Sequence, residues 1–162
     1  MKPPSVPQQR IEMMDLSGSK GHYDADKVRY RPAGYGILQV DGRLLLSRSR
    51  FTGLWDFPGG GVEPFEWLGD GMAREYFEET HLLVRAGDIV HVGESYIAMF
   101  GHPYHSLRFY FRAYLQDGQR VENALADPGE ITELGWFSPA ASVQLPMDDG
   151  NRMALENFLR MA

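Results

Sequence analysis

The chain contains no cysteine, so it has neither a disulfide framework nor a thiol nucleophile. It also lacks any apolar run near the ~20 residues that cross a bilayer, which excludes a membrane-spanning helix. Positive charge is scarce: 16 Lys and Arg stand against 22 Asp and Glu, a net charge of −6. That balance excludes a broad nucleic-acid surface, because phosphate backbones are bound by clustered Lys and Arg. A small phosphorylated ligand stays allowed, since a bound metal reverses the sign locally. Met1-Lys2-Pro3-Pro4 leads into a polar segment without the apolar core of a secretory signal, and with the missing cysteine this sets the expectation of a cytoplasmic protein. Repeats and low-complexity blocks are absent. The five histidines have no zinc-like spacing, and His102 and His105 read only as part of a turn.

What is present is one dense stretch, Gly59 to Leu82. In Arg74-Glu75-Tyr76-Phe77-Glu78-Glu79 three carboxylates fall at i, i+3 and i+4, on one face if the segment is helical. Such a triplet repels itself by ~0.2–0.5 kcal/mol per pair, and only Arg74 offsets it. A divalent ion would turn that cost into a gain. Oxygen donors without His or Cys suit a hard cation, Mg²⁺ first and Mn²⁺ also, in preference to zinc. Upstream, Gly59, Gly60 and Gly61 follow Phe57-Pro58 and can bring backbone close to an ion or a phosphate.

Gly60, five residues, Glu66, seven residues, then Arg74 to Glu79, with Leu82 closing, resembles the signature of the Nudix hydrolases. One position departs: His81 stands where the family has glycine, at an expected helix C-terminus where a left-handed conformation is common. The resemblance implies a Nudix fold and a metal-dependent pyrophosphohydrolase of the MutT type. It implies Glu78 and Glu79 as main ligands, the Gly59 carbonyl as a further one, and Glu75 as ligand or general base. Arg74 would fix a carboxylate's rotamer, and Glu66 would support the loop and the motif glutamates. Sites holding more than one ion around a diphosphate need another anionic ligand, and MutT-type relatives carry a distal glutamate near the position of Glu130. Glu130 therefore ranks ahead of Glu122 and Glu133.

The rest of the chain frames that stretch. A length of 162 residues and a 43% hydrophobic content fit one domain, expected over residues 29–162. Residues 1–28 show no clear period and are expected as a loose arm, with a partner-ordered strand as the alternative. Strand-like Ile37, Leu38 and Val40, the Asp41-Gly42 turn and Leu44 to Leu46 predict a first hairpin. Leu54 to Phe57 predicts a short strand ended by Pro58, and a helix is expected from Gly69 or Asp70 with Met72, Ala73, Tyr76 and Phe77 on its apolar side. Ile89 to Phe100 predicts a strand, Gly101-His102-Pro103 a turn, and the alternation from Leu107 to Leu115 a strand with one core face and one polar or substrate-facing side. Ile131 to Phe137 predicts a further strand. A last helix capped by Asp149 or Asn151 would bury Leu155, Phe158 and Leu159. Strands interleaved with helices give an α+β class with a central mixed sheet and helices on both faces, and the resemblance implies an α/β/α sandwich.

Substrate contacts are less sharply marked. Arg48 is the first choice for a phosphate or base contact, Gly60 for backbone contact with phosphate, and Phe57 leads Trp55, Tyr35 and Tyr96 as an aromatic to stack on a base. The expected function is metal-dependent cleavage of a nucleoside diphosphate linked to another group, leaning to a nucleoside triphosphate. The partner is a small phosphorylated nucleotide, with no extended nucleic acid and no membrane, and a homodimer is allowed. A Nudix-fold protein that binds a nucleotide or sugar nucleotide without cleaving it is the alternative. An isoprenoid-diphosphate isomerase is disfavoured because such relatives use a catalytic cysteine.

Overall fold

The computed structural model describes residues 9–162. Its centre is a mixed sheet. Strands β1 (Arg10–Asp15), β2 (Lys20–Asp24), β3 (Arg29–Val40), β4 (Arg43–Ser49), β5 (Trp55–Asp56), β6 (Gly59–Gly61), β7 (Val84–Met99), β8 (His102–Leu115) and β9 (Ile131–Phe137) accompany helices α1 (Leu68–Thr80), α2 (Pro139–Ser142) and α3 (Asp149–Met161). The strands run β2-β1-β7-β8-β3-β4-β5, with β6 on β3 and β9 on β4. Pairs β1/β7 and β3/β8 are parallel, and the others are antiparallel.

Local chemistry explains several joints. Asp41 and Gly42 both take positive φ, 49° and 74°, the tight two-residue turn that matches strand twist, so β3 and β4 form the expected hairpin. Pro58 ends the β5 segment, and β6 then folds back on β3 with Gly59 opposite Tyr35. Helix α1 packs on one face of the sheet through Met72 and Tyr76 against Leu38, Leu45, Phe111 and Ala113. Helix α3 covers the other face through Ala154, Leu155 and Phe158 against Ile37, Leu44 and Tyr110. The expected two-faced arrangement is therefore present. No helix among the described residues is long and apolar enough to cross a membrane.

Five details differ from the sequence expectations. Residues 10–24 form a hairpin, not a loose arm: Asp15 Oδ1 accepts from Ser17 N at 2.8 Å and Ser19 N at 2.9 Å to close the turn, Met13 is buried, and β1 pairs with β7. Residues 1–8 of that expectation lie outside the described residues. The side of β8 opposite Phe111 is not polar throughout: α3 buries Tyr110 there, while Arg108 on the same side lines a cleft. Phe77 is 41% exposed, while Glu79 is only 8% exposed, so the buried side of α1 is rotated from the expected one. The turn after β7 is Phe100-Gly101, both with positive φ, leaving His102 and Pro103 in β8. The cap of α3 is Asp148, whose Oδ1 accepts from Asn151 N at 2.7 Å.

Candidate active site

The glycine turn between β5 and α1 and the polar side of α1 meet at one end of a cleft of about 1420 Å³. Gly59 is at φ 147°, a backbone that side chains rarely adopt, and a Cβ there would overlap the Gly34 carbonyl oxygen. Its N–H donates to Glu79 Oε2 at 3.2 Å. One residue on, a Cβ at Gly60 would come within 2.5 Å of Glu75 Oε2. The two glycines let the carboxylates of α1 lie directly on the backbone of β6, and no other residue type leaves that room.

Arg74 organises the rest. Its Nε donates to Glu66 Oε1 at 2.6 Å and its Nη2 to Glu66 Oε2 at 3.0 Å, a bidentate pair. Nη2 also donates to the Gly61 carbonyl at 3.0 Å, and Nη1 to Glu75 Oε1 at 2.9 Å and to Glu78 Oε2 at 3.2 Å. Glu66 is thereby held down to about 2, chiefly by the hydrogen bond from Arg74. Glu66 also accepts from the Glu63 N–H at 3.0 Å, and it touches the motif glutamates only through Arg74.

Burial pushes Glu75 up, against the opposing pull of Arg74, with the charges of Glu78 and Glu130 adding to the rise. Burial likewise pushes Glu79 well up, and although the Gly59 N–H opposes it, the charges of Glu130, Glu75 and Asp56 reinforce it. Glu75, Glu79 and Glu130 all line the cleft. They form a mutually repelling, oxygen-only set with the donor chemistry of a hard divalent site. Among the described residues no three such groups are yet gathered at ion-binding distance, because Glu78 and Glu75 are drawn to Arg74. The residues present fit a divalent ion by their chemistry, an oxygen-only set resting on the Gly59-Gly60 backbone.

The other candidates separate clearly. Phe57 is buried in the core and borders the cleft, and Gly60 lines it too. Arg48 does not line the cleft: its Nε donates to the Gly53 carbonyl at 3.0 Å and Nη1 lies 3.7 Å from Glu133. Glu122 lies 3.5 Å from Arg120, also away from the cleft. Of the four aromatics, Tyr35 and Tyr96 line the cleft with Phe57, whereas Trp55 packs against Phe137 in the core. His81 is the left-handed cap of α1, at φ 58°, with Nδ1 3.3 Å from the Leu125 carbonyl oxygen.

A second charged cluster on the cleft floor escaped sequence reasoning. Arg108 donates to Asp148 Oδ2 at 2.9 Å and lies over the rings of Tyr35 and Tyr110. Asp56 Oδ1 accepts from Asn151 Nδ2 at 2.7 Å. Burial raises Asp56 to about 7, the charge of Asp148 adds to the rise, and Arg108 opposes it. The one signal for Asp56 was an acid inside a short apolar strand. Arg108 was visible as one member of the side of its strand expected to be polar or substrate-facing, without its partner Asp148.

The NUDIX domain family matches residues 30–158. Diphosphoinositol polyphosphate phosphohydrolase 2 of Rattus norvegicus is 42% identical over 75 residues, 45% of this chain and 42% of that protein. CTP pyrophosphohydrolase of Escherichia coli is 26% identical over 132 residues, 77% of this chain and 88% of that protein. The crystal structure of a MutT protein from Methanosarcina mazei has a TM-score of 0.63 at 26% identity, covering 83% of this chain and 96% of that one. The chain thus spans less than half of the first of these relatives and nearly all of the other two. It belongs to the NUDIX domain family.

Proposed function

We propose that this protein is a divalent-metal-dependent pyrophosphohydrolase that cleaves a nucleoside diphosphate linked to another group, with a nucleoside triphosphate as the leading substrate. The observation that carries the reading is the convergence of Glu75, Glu79 and Glu130 beside the Gly59-Gly60 turn at the end of a large cleft. In support, the alignment with the Escherichia coli CTP pyrophosphohydrolase covers most of both chains. Glu75, Glu78, Glu79 and the Gly59 carbonyl would hold Mg²⁺, or Mn²⁺, with Glu130 completing the set. When bound, the ion screens the diphosphate charge and lowers the pKa of an attacking water.

The chain's own residues account for the remainder. Arg74 holds Glu75 and Glu78 in place, and the Gly59 N–H orients Glu79. A carboxylate takes the proton of the attacking water as the new P–O bond forms, and the bridging anhydride P–O bond breaks with its electron pair leaving on the departing phosphate. Glu75, its proton affinity raised by burial, and Glu130 both face the cleft for that role. A panel of nucleoside triphosphates, sugar nucleotides and dinucleoside polyphosphates, incubated with Mg²⁺ and resolved by chromatography, tests the reading. Hydrolysis at an anhydride bond is expected. Tight binding without cleavage across the panel would replace it with the nucleotide-binding alternative.

A further inference from the structure

The cleft is lined by nine carboxylate residues and two arginines, Arg31 and Arg108. A phosphate chain entering it meets repulsion unless some cation is free to receive it. Arg108 is committed to Asp148 at 2.9 Å and to the faces of two tyrosines. Nearby, Arg74 is committed to Glu66, Glu75 and Glu78. Arg31 differs: among the described residues it has no hydrogen bond from its guanidinium and no carboxylate partner, although carboxylates surround the cleft.

Its placement is equally specific. Arg31 stands on β3 two residues before Ala33, which pairs with Gly61. The guanidinium lies on that glycine, so that a Cβ at Gly61 would come within 3.0 Å of Arg31 Nη2. Three successive residues of β6 thus carry three charged groups: Glu79 at Gly59, Glu75 at Gly60, Arg31 at Gly61. Successive positions of a strand face opposite sides, so Glu75 and Arg31 approach neighbouring residues of β6 from its two sides, and both line the same cleft.

We propose that Arg31 receives the phosphoryl group next in line to the one held at Glu75 and Glu79, and so selects substrates whose phosphate chain extends past the cleaved bond. The proposal rests on the pyrophosphohydrolase reading for which end of the cleft holds the reacting phosphate. Arg31 is then a binding residue, felt by substrate and transition state alike, and its loss appears in KM and not in kcat.

The test is calorimetric titration of inorganic tripolyphosphate with Mg²⁺ into the wild type, Arg31→Gln and Arg31→Lys, alongside kinetics and ligand-free melts. Arg31→Gln is expected to weaken binding by about ten- to a hundredfold, the worth of charge-assisted hydrogen bonds to phosphate. Arg31→Lys should keep part of the affinity, because it retains the charge without the planar fork. Melting without ligand should stay unchanged, and KM for a nucleoside triphosphate should rise with kcat nearly intact. Wild-type affinity in Arg31→Gln overturns the proposal, as does a wild type that does not bind tripolyphosphate. A fall in kcat with a lower melting temperature also overturns it, since Arg31 would then merely prop the Gly61 backbone. The two readings fail separately. If Arg31→Gln loses tripolyphosphate but the wild type cleaves no anhydride, the hydrolase reading falls and Arg31 stands. If the enzyme cleaves nucleotides with the same KM in both forms, Arg31 falls and the hydrolase reading stands.

Discussion

Replacing Asp56 by Asn removes one ionisable group from the cleft floor while keeping the acceptor that Asn151 Nδ2 reaches at 2.7 Å. Asp56 is raised from 3.8 to about 7, first by burial and then by Asp148, with Arg108 pulling the other way. A carboxyl whose pKa is higher folded than unfolded favours the folded state most when protonated. Its contribution is therefore complete below about 3.8 and is lost as pH climbs through about 7. A shift of roughly three pKa units at 1.36 kcal/mol each puts the loss on the order of 4 kcal/mol by pH 7. Asn cannot ionise and escapes it. Urea unfolding of both proteins between pH 4 and pH 8, with a chelator present to keep metals from the glutamates, reads the difference directly. The variant's advantage over the wild type should grow steadily with pH across that window. A difference that stays flat with pH would refute the reasoning, because it would mean that Asp56 is ionised in the fold at no cost.

Three further substitutions follow from placement and one pair from steric fit. Glu130→Gln should lower kcat by at least about tenfold with a smaller change in KM, because Glu130 faces Glu75 and Glu79 across the cleft. Glu122→Gln and Glu133→Gln should leave both constants near wild type, since these residues pair with Arg120 and Arg48 outside the cleft, and steady-state kinetics on the three variants decide it. Gly60→Ala should keep the melting temperature but cut turnover, because the added Cβ meets only the movable end of Glu75. Gly59→Ala should lose more than about 3 kcal/mol in chemical denaturation, because its Cβ meets backbone at a φ that alanine resists.

The legible parts of this chain were those fixed by local chemistry. The Asp41-Gly42 turn, the break at Pro58, the strand from Ile131 to Phe137 and the placing of α1 follow from backbone preferences and periodicity over a few residues. The spacing of Gly60, Glu66 and Arg74 to Glu79 was likewise readable, and His81 occupies the left-handed cap expected of it. What the sequence concealed depends on distant partners. Ile11 and Met13 become part of a strand by pairing with Tyr23 and Gly21 of β2, and the end of that strand, Met14 and Asp15, joins the sheet only through Ile97 and Ala98 of β7. Tyr110 reads as the polar side of a strand until α3 buries it. Glu79 reads as part of the polar, site-forming face of α1, and its burial against the Gly59 backbone has no local sign. Arg48, the favoured substrate contact, bonds Gly53 and lies near Glu133, whereas Arg31 and Arg108 reach the cleft through the pairing of β3 with β6 and β8, and Asp56 and Asp148 through β5 and the cap of α3.

If the glutamates of α1 hold a divalent ion, Glu79, the most buried of them, reports it. Thermal melts of the wild type and Glu79→Gln, each with a chelator and with millimolar Mg²⁺, test it in one measurement. Gln keeps an acceptor for the Gly59 N–H at 3.2 Å and removes the buried charge. The account predicts that the variant melts at or above the wild type in chelator, that Mg²⁺ raises the wild-type melting temperature, and that Mg²⁺ leaves the variant nearly unmoved. A wild type indifferent to Mg²⁺, or a variant stabilised by it as much as the wild type, contradicts the account.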